Sequence, residues 1–186
     1  MNAPDRPADE PAPATDPAGP RMARSLRIDA ALRGEIDALY ADAAAALDER
    51  RYDDWIELFT DDCEYVLQPR ENFDRGFPLA TMALESKGML RDRVFAIGDT
   101  LFHAPYYQRH VVGPLRVVRA DGDGIDVQAN YAVFRTKLQQ LSEVFNVGRY
   151  LDTLVRDPGA GGAWRIRSRR VVFDSELIPN SIIYPI

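Results

Sequence analysis

The chain has 186 residues, 46% apolar and 28% charged, with a formal net charge of −6. That length suffices for one sizeable core and is short for two. No run reaches the ~18 apolar residues that a membrane-spanning helix needs, and the acidic balance argues against nucleic acid as a partner. The lone cysteine, Cys63, excludes an internal disulfide framework and suits a reducing cytoplasm.

The opening segment carries Pro4, Pro7, Pro11, Pro13, Pro17 and Pro20 among alanines and acidic residues. It has no apolar period and no signal-peptide pattern, so residues 1–22 read as a disordered Pro/Ala-rich tail and 23–186 as a single domain. Ile28, Leu32, Ile36, Leu39, Ala43 and Leu47 then recur at helical spacing behind Asp29, a plausible cap. On this helix Glu35, Asp42, Asp48 and Glu49 are placed toward water. Tyr52–Phe59 reads as a second helix that packs aromatics on the core. Thr60-Asp61-Asp62 reads as its stop, and 63–67 as a strand ending at Pro69. Residues 69–84 look irregular, with a short strand within 79–84. A third helix follows from Ser86 to Ile97, with Met89, Leu90, Val94 and Ile97 on one face.

From about Tyr107 the apolar period drops to two. A strand interrupted at Gly113-Pro114 leads to a hairpin turn at 120–124. Alternating strands follow at 125–133 and 144–155, then a second turn at 157–162 and a last strand. In that strand Trp164, Ile166 and Val172 are assigned to one face, and Arg165, Arg167 and Arg169 to the other. Four strands of about twelve residues exceed the usual ~5–6 and should coil. The pattern predicts an α+β cone: a long, strongly curved antiparallel sheet with helices packed on its concave face.

The chemistry on offer is sparse. One Cys and two His, His103 and His110, cannot build a two-iron Rieske cluster, and a two-His-one-carboxylate iron site would consume both histidines. No phosphate loop or nucleophile elbow is present. Acid–base work inside a conical pocket remains open, with His110, Tyr131, Asp174 and Tyr65 as candidates. Arg109 is placed to hold a carboxylate beside His110, and Asp174 to orient it. The Arg165, Arg167, Arg169 row reads as cross-strand ion pairs or as a surface for another subunit.

Several segments taken in order carry a resemblance. These are Tyr52-Asp53-Asp54-Trp55-Ile56-Glu57-Leu58-Phe59, Gln68-Pro69-Arg70-Glu71-Asn72-Phe73, Met89-Leu90-Arg91-Asp92-Arg93-Val94, Tyr106-Tyr107-Gln108-Arg109-His110 and the ending Asp174-Ser175-Glu176-Leu177-Ile178-Pro179-Asn180-Ser181-Ile182-Ile183-Tyr184-Pro185-Ile186. Together they resemble the small (beta) subunits of Rieske non-haem iron ring-hydroxylating oxygenases, most of all those of salicylate 5-hydroxylases and anthranilate 1,2-dioxygenases. The resemblance implies a cystatin-like or NTF2-like cone and assembly of three small with three large (alpha) subunits. It places the Rieske 2Fe-2S cluster, the mononuclear iron and the substrate pocket in the large subunit, fed by an NADH reductase with or without a ferredoxin. No catalytic, cofactor or metal residue is implied here, and Arg109, His110, Arg165, Arg167 and Arg169 stand as candidates for a subunit interface. The alternative is a self-sufficient, cofactor-free isomerase or dehydratase on the same fold.

Overall fold

The computed structural model describes residues 24–122, 124–178 and 181–186, so the expected tail at 1–22 lies outside the described residues. Helix α1 spans Ala30–Asp48, and the Asp29 carboxylate accepts from the Leu32 amide at 2.8 Å, the cap read from the sequence. Its buried face is Ile36, Leu39, Tyr40, Ala43, Ala46 and Leu47. Helix α2 is Tyr52–Glu57, with Trp55 and Ile56 buried. Strand β1 then runs Phe59–Pro69, so Thr60-Asp61-Asp62 does not end the element before it. Those residues fall at a register break between Phe59 and Glu64, where β1 leaves the ladder of its neighbour. The polar signal marks an irregularity inside a strand rather than its boundary.

The stretch after β1 is more ordered than its composition suggests. It forms helix α3 (Arg70–Asp74) and strand β2 (Met82–Leu84). Helix α4 (Lys87–Asp99) starts at Ser86, whose hydroxyl accepts from the Met89 amide. Leu90 and Ile97 are buried and Val94 packs on the core, whereas Met89 is exposed. The Gly113-Pro114 interruption splits the next strand into β3 (Tyr106–Val112) and β4 (Arg116–Asp121), both antiparallel to β5 (Gly124–Lys137). Strand β6 (Glu143–Asp157) and, after a 3-10 turn at Pro158–Ala160, strand β7 (Ala163–Phe173) complete a seven-stranded sheet. Its order is β2-β1-β7-β6-β5-β3, with β4 also on β5. One pair departs from the antiparallel pattern: β1 lies parallel to β7.

A bulge in β7 sets which of its residues point into the cone. In β7, Ser168 faces Thr153 but Ile166 faces Leu154, so Arg167 is the extra residue. The alternation read from the sequence therefore breaks. Ile166, Arg169, Val171 and Phe173 all face inward, and Val172 is not among the residues of the central cluster. The arginines do not form one row. Arg165 stays on the outer side near Asp157, while Arg169 is inside the cone with its side chain 3% exposed.

At the centre, Arg169 donates to Asp152 through Nε and Nη2 (3.1 and 2.8 Å), and the Tyr40 hydroxyl donates to the same carboxylate. The guanidinium also stacks on the Tyr150 ring, 4.6 Å from its centroid. Helix α1 and strands β6 and β7 thus meet on one charged pair. Replacing Arg169 with Met leaves Asp152 buried without its cation and should cost about 3–5 kcal/mol. Denaturant unfolding measures it, and a loss below about 1 kcal/mol contradicts this role.

Candidate functional site

The inner face of β3 carries Tyr106, Gln108 and His110 toward the cone, and Tyr107, Arg109 and Val111 outward. β3 is an edge strand, and its free side is blunted from the end of α1. The Asp48 carboxylate accepts from the His110 amide (3.0 Å), from His110 Nδ1 (2.7 Å) and from Arg109 Nη1 (3.3 Å). Arg50 Nη2 donates to the Tyr106 carbonyl at 2.8 Å. Asp48 therefore does not face water; its side chain is 4% exposed. With Nδ1 donating to Asp48, the tautomer of a neutral His110 is fixed, and Nε2 is buried with no hydrogen-bond partner among the described residues.

Asp174 is not the residue that orients His110. It pairs instead with Arg70 at 3.4 Å, just past the end of β7, with β6 and β5 between that strand and β3. The remaining candidates are brought inside the cone but are engaged there. Tyr131 donates to Asn146 Oδ1 at 2.6 Å and stacks on Tyr150 at 4.5 Å between centroids. Burial pushes the Tyr131 and Tyr150 phenols far above the ordinary range, and raises Tyr65 to about 12. His103 Nε2 accepts from the Tyr184 hydroxyl (2.8 Å), and its Nδ1 faces the Leu101 carbonyl (3.0 Å). Cys63 is buried, and desolvation raises its thiol to about 11, the opposite of what a nucleophile needs.

The interior is closed by a segment that the sequence reading assigned no structural role. Ile182, Tyr184 and Ile186 are 3%, 4% and 0% exposed. They pair with no strand and are held as a bound peptide would be. Arg93 Nη2 donates to the Ile182 and Ile183 carbonyls (3.0 and 2.7 Å). The Tyr65 hydroxyl donates to the Ile186 oxygen (2.9 Å) and lies 3.0 Å from its amide. The Tyr106 ring packs on Tyr184, 4.5 Å between centroids. The cone is thus filled by aromatic side chains and by the chain's own last residues.

No group of three or more His, Cys, Asp or Glu side chains able to hold a metal occurs among the described residues. The donor set itself does not fit a Rieske cluster: there is one cysteine, and both imidazoles already have protein partners. No helix among the described residues is long and apolar enough to cross a membrane.

The family model described as "ring hydroxylating beta subunit" matches residues 42–180. The chain belongs to the ring-hydroxylating beta subunits. It is 34% identical over 140 residues to the small subunit of anthranilate 1,2-dioxygenase from Burkholderia cepacia, covering 75% of this chain and 85% of that one. Among solved structures it matches a protein from Novosphingobium aromaticivorans assigned as the beta subunit of an aromatic-ring-hydroxylating dioxygenase, with TM-score 0.74 and 34% identity over 84% and 97% of the two chains. The benzoate 1,2-dioxygenase beta subunit of Burkholderia mallei shares the fold, with TM-score 0.65 and 21% identity over 86% of this chain and 99% of that one. The beta subunit described here has the NTF2-like cone of these relatives.

Two outcomes follow for this beta subunit. Asp48→Ala should cost about 1–3 kcal/mol, because it strands buried donors of β3. Amide exchange at His110 should rise, and an unchanged rate there contradicts the edge-cap role. Cys63 should react with a thiol reagent only as fast as the chain unfolds; rapid stoichiometric labelling of the native protein contradicts its burial.

Proposed function

We propose that this chain is the non-catalytic, structural small subunit of a multicomponent oxygenase. The complex would hydroxylate a small aromatic acid with O2 and NADH-derived electrons, in the catabolism of aromatic compounds in the cytoplasm. The observation that carries this reading is the filled cone. Where an acid–base enzyme on such a fold needs an enclosed cavity, this chain places Ile182, Tyr184 and Ile186. The Asp48–His110 pair, the geometry nearest to a catalytic dyad, is used to cap an edge strand. The names of relatives acting on anthranilate and terephthalate support an aromatic carboxylate as substrate.

In this reading the large (alpha) subunit supplies the Rieske 2Fe-2S cluster and the mononuclear iron, in an assembly of three large and three small subunits. An NADH reductase, with or without a ferredoxin, supplies the electrons. The outward residues of β3, Tyr107 (73% exposed), Val111 (52%) and Arg109, form one proposed contact surface, with Arg165 and Arg167 as a second polar part. Arg169 and His110, the other two candidates, are buried in the single chain and would support such a surface from within.

The test is NADH-dependent hydroxylation of anthranilate or salicylate by reconstituted complex, normalised to assembled hexamer. His110→Ala and Asp48→Asn should lower complex yield or melting temperature. They should change turnover per hexamer by less than tenfold, against the ~10²–10⁴-fold cost of losing a working acid or base. A thousandfold fall with assembly intact contradicts the structural role. Histidine-dependent isomerase or dehydratase activity of the lone chain would establish the alternative.

A further inference from the structure

A pocket of about 350 Å³ opens beside the closed mouth of the cone, between the residues leading into β3, the end of β5 and the segment after Asn180. Its walls include Phe102, Tyr106 and Ile183, and its polar groups include Arg135 and Lys137. The volume falls in the ~300–1,000 Å³ range of small-molecule sites.

Its charge is unusual for so acidic a chain. Arg135 faces the inside of the sheet with its side chain 4% exposed. Its guanidinium lies 4.3 Å from the Phe145 ring centroid and 5.5 Å from that of Tyr106. It donates to Glu143 Oε1 through Nε (2.8 Å) and Nη2 (2.6 Å), so Nη1 has no hydrogen-bond partner among the described residues. The Lys137 ammonium lies 4.0 Å from that same Glu143 oxygen. Two cations therefore share one carboxylate, and Glu143 is itself half-exposed. A buried cation with a free donor, held against aromatic walls, is the chemistry that recognises an anion attached to a ring.

We propose that this pocket is a binding site for a small aromatic carboxylate, with the ring against Phe102, Tyr106 and Ile183 and the carboxylate between Arg135 Nη1 and Lys137. Every residue named in the site belongs to this chain. It goes beyond the subunit reading and does not depend on it.

The experiment is a titration of the full-length chain with sodium benzoate, followed by amide chemical shifts. Benzyl alcohol, a ring without charge, and acetate, a charge without a ring, serve as controls at equal ionic strength. The expected result is saturable, roughly millimolar binding of benzoate alone, with shifts centred on 102–106, 135–137 and 181–183. Lys137→Glu, at a partly exposed position, should weaken it about fivefold or more, and added salt should weaken it further. Arg135→Met should abolish it, the fold being checked by the unchanged shifts of β1 and β7. No saturable response, an equal response to benzyl alcohol, shifts centred elsewhere, or equal affinity in Lys137→Glu would each overturn the proposal.

Discussion

A long, coiled antiparallel sheet has a concave face that must be filled, and the rest of this molecule follows from how that is done. Strands β5 and β6 run 14 and 15 residues, more than twice the usual ~5–6, so the hollow they enclose is deep. Helix α1 covers one side with an alanine- and leucine-rich face, and α2 adds Trp55 against Phe59 and Tyr65. The remaining space is taken by Ile182, Tyr184 and Ile186. Part of the polar cost of that filling is met locally: Asp152 is shared by Arg169 and Tyr40, Tyr131 bonds Asn146, and Tyr65 bonds the main chain at Ile186.

This arrangement packs the centre of the cone, and a cavity of about 330 Å³ lined by Tyr40, His110 and Leu115 lies to the side, between α1 and the strands β3 and β4. Each group that resembles an acid or a base is tied to a structural task. His110 and Asp48 close the free edge of β3, a site that would otherwise expose strand backbone to pairing. The buried tyrosines are held protonated by desolvation, so they act as donors and packing surfaces. The outside of the sheet and the rim of the cone carry the exposed apolar residues Phe102, Tyr107 and Val111.

Much of the fold was legible because its signals are local. The helical period from Ile28 to Leu47, the Asp29 cap and the alternation of β5 need no tertiary information. The errors have tertiary causes. The three-arginine row failed because one bulge residue, Arg167, reverses the faces after it, and no sequence signal announces a bulge. The helical pattern alone places Asp48 toward water because its partners lie 61 and 62 residues away. Its position was itself a hint, since a carboxylate in the last turn of a helix is unfavourable to the helix dipole and calls for another reason to be there. Residues 181–186 form no regular element, and the only local sign that they enter the core is the spacing of Ile182, Tyr184 and Ile186 at every second position.

The claim that this segment is core, and that the cone is therefore closed for structural reasons, is tested most directly by denaturant unfolding of Ile186→Ala beside the unaltered chain. Removing a fully buried isoleucine side chain should lower the unfolding free energy by about 2–5 kcal/mol, with an unchanged slope. Unfolding that coincides with that of the unaltered chain would mean that the segment does not fill the cone, and the structural account of the closed interior would fail.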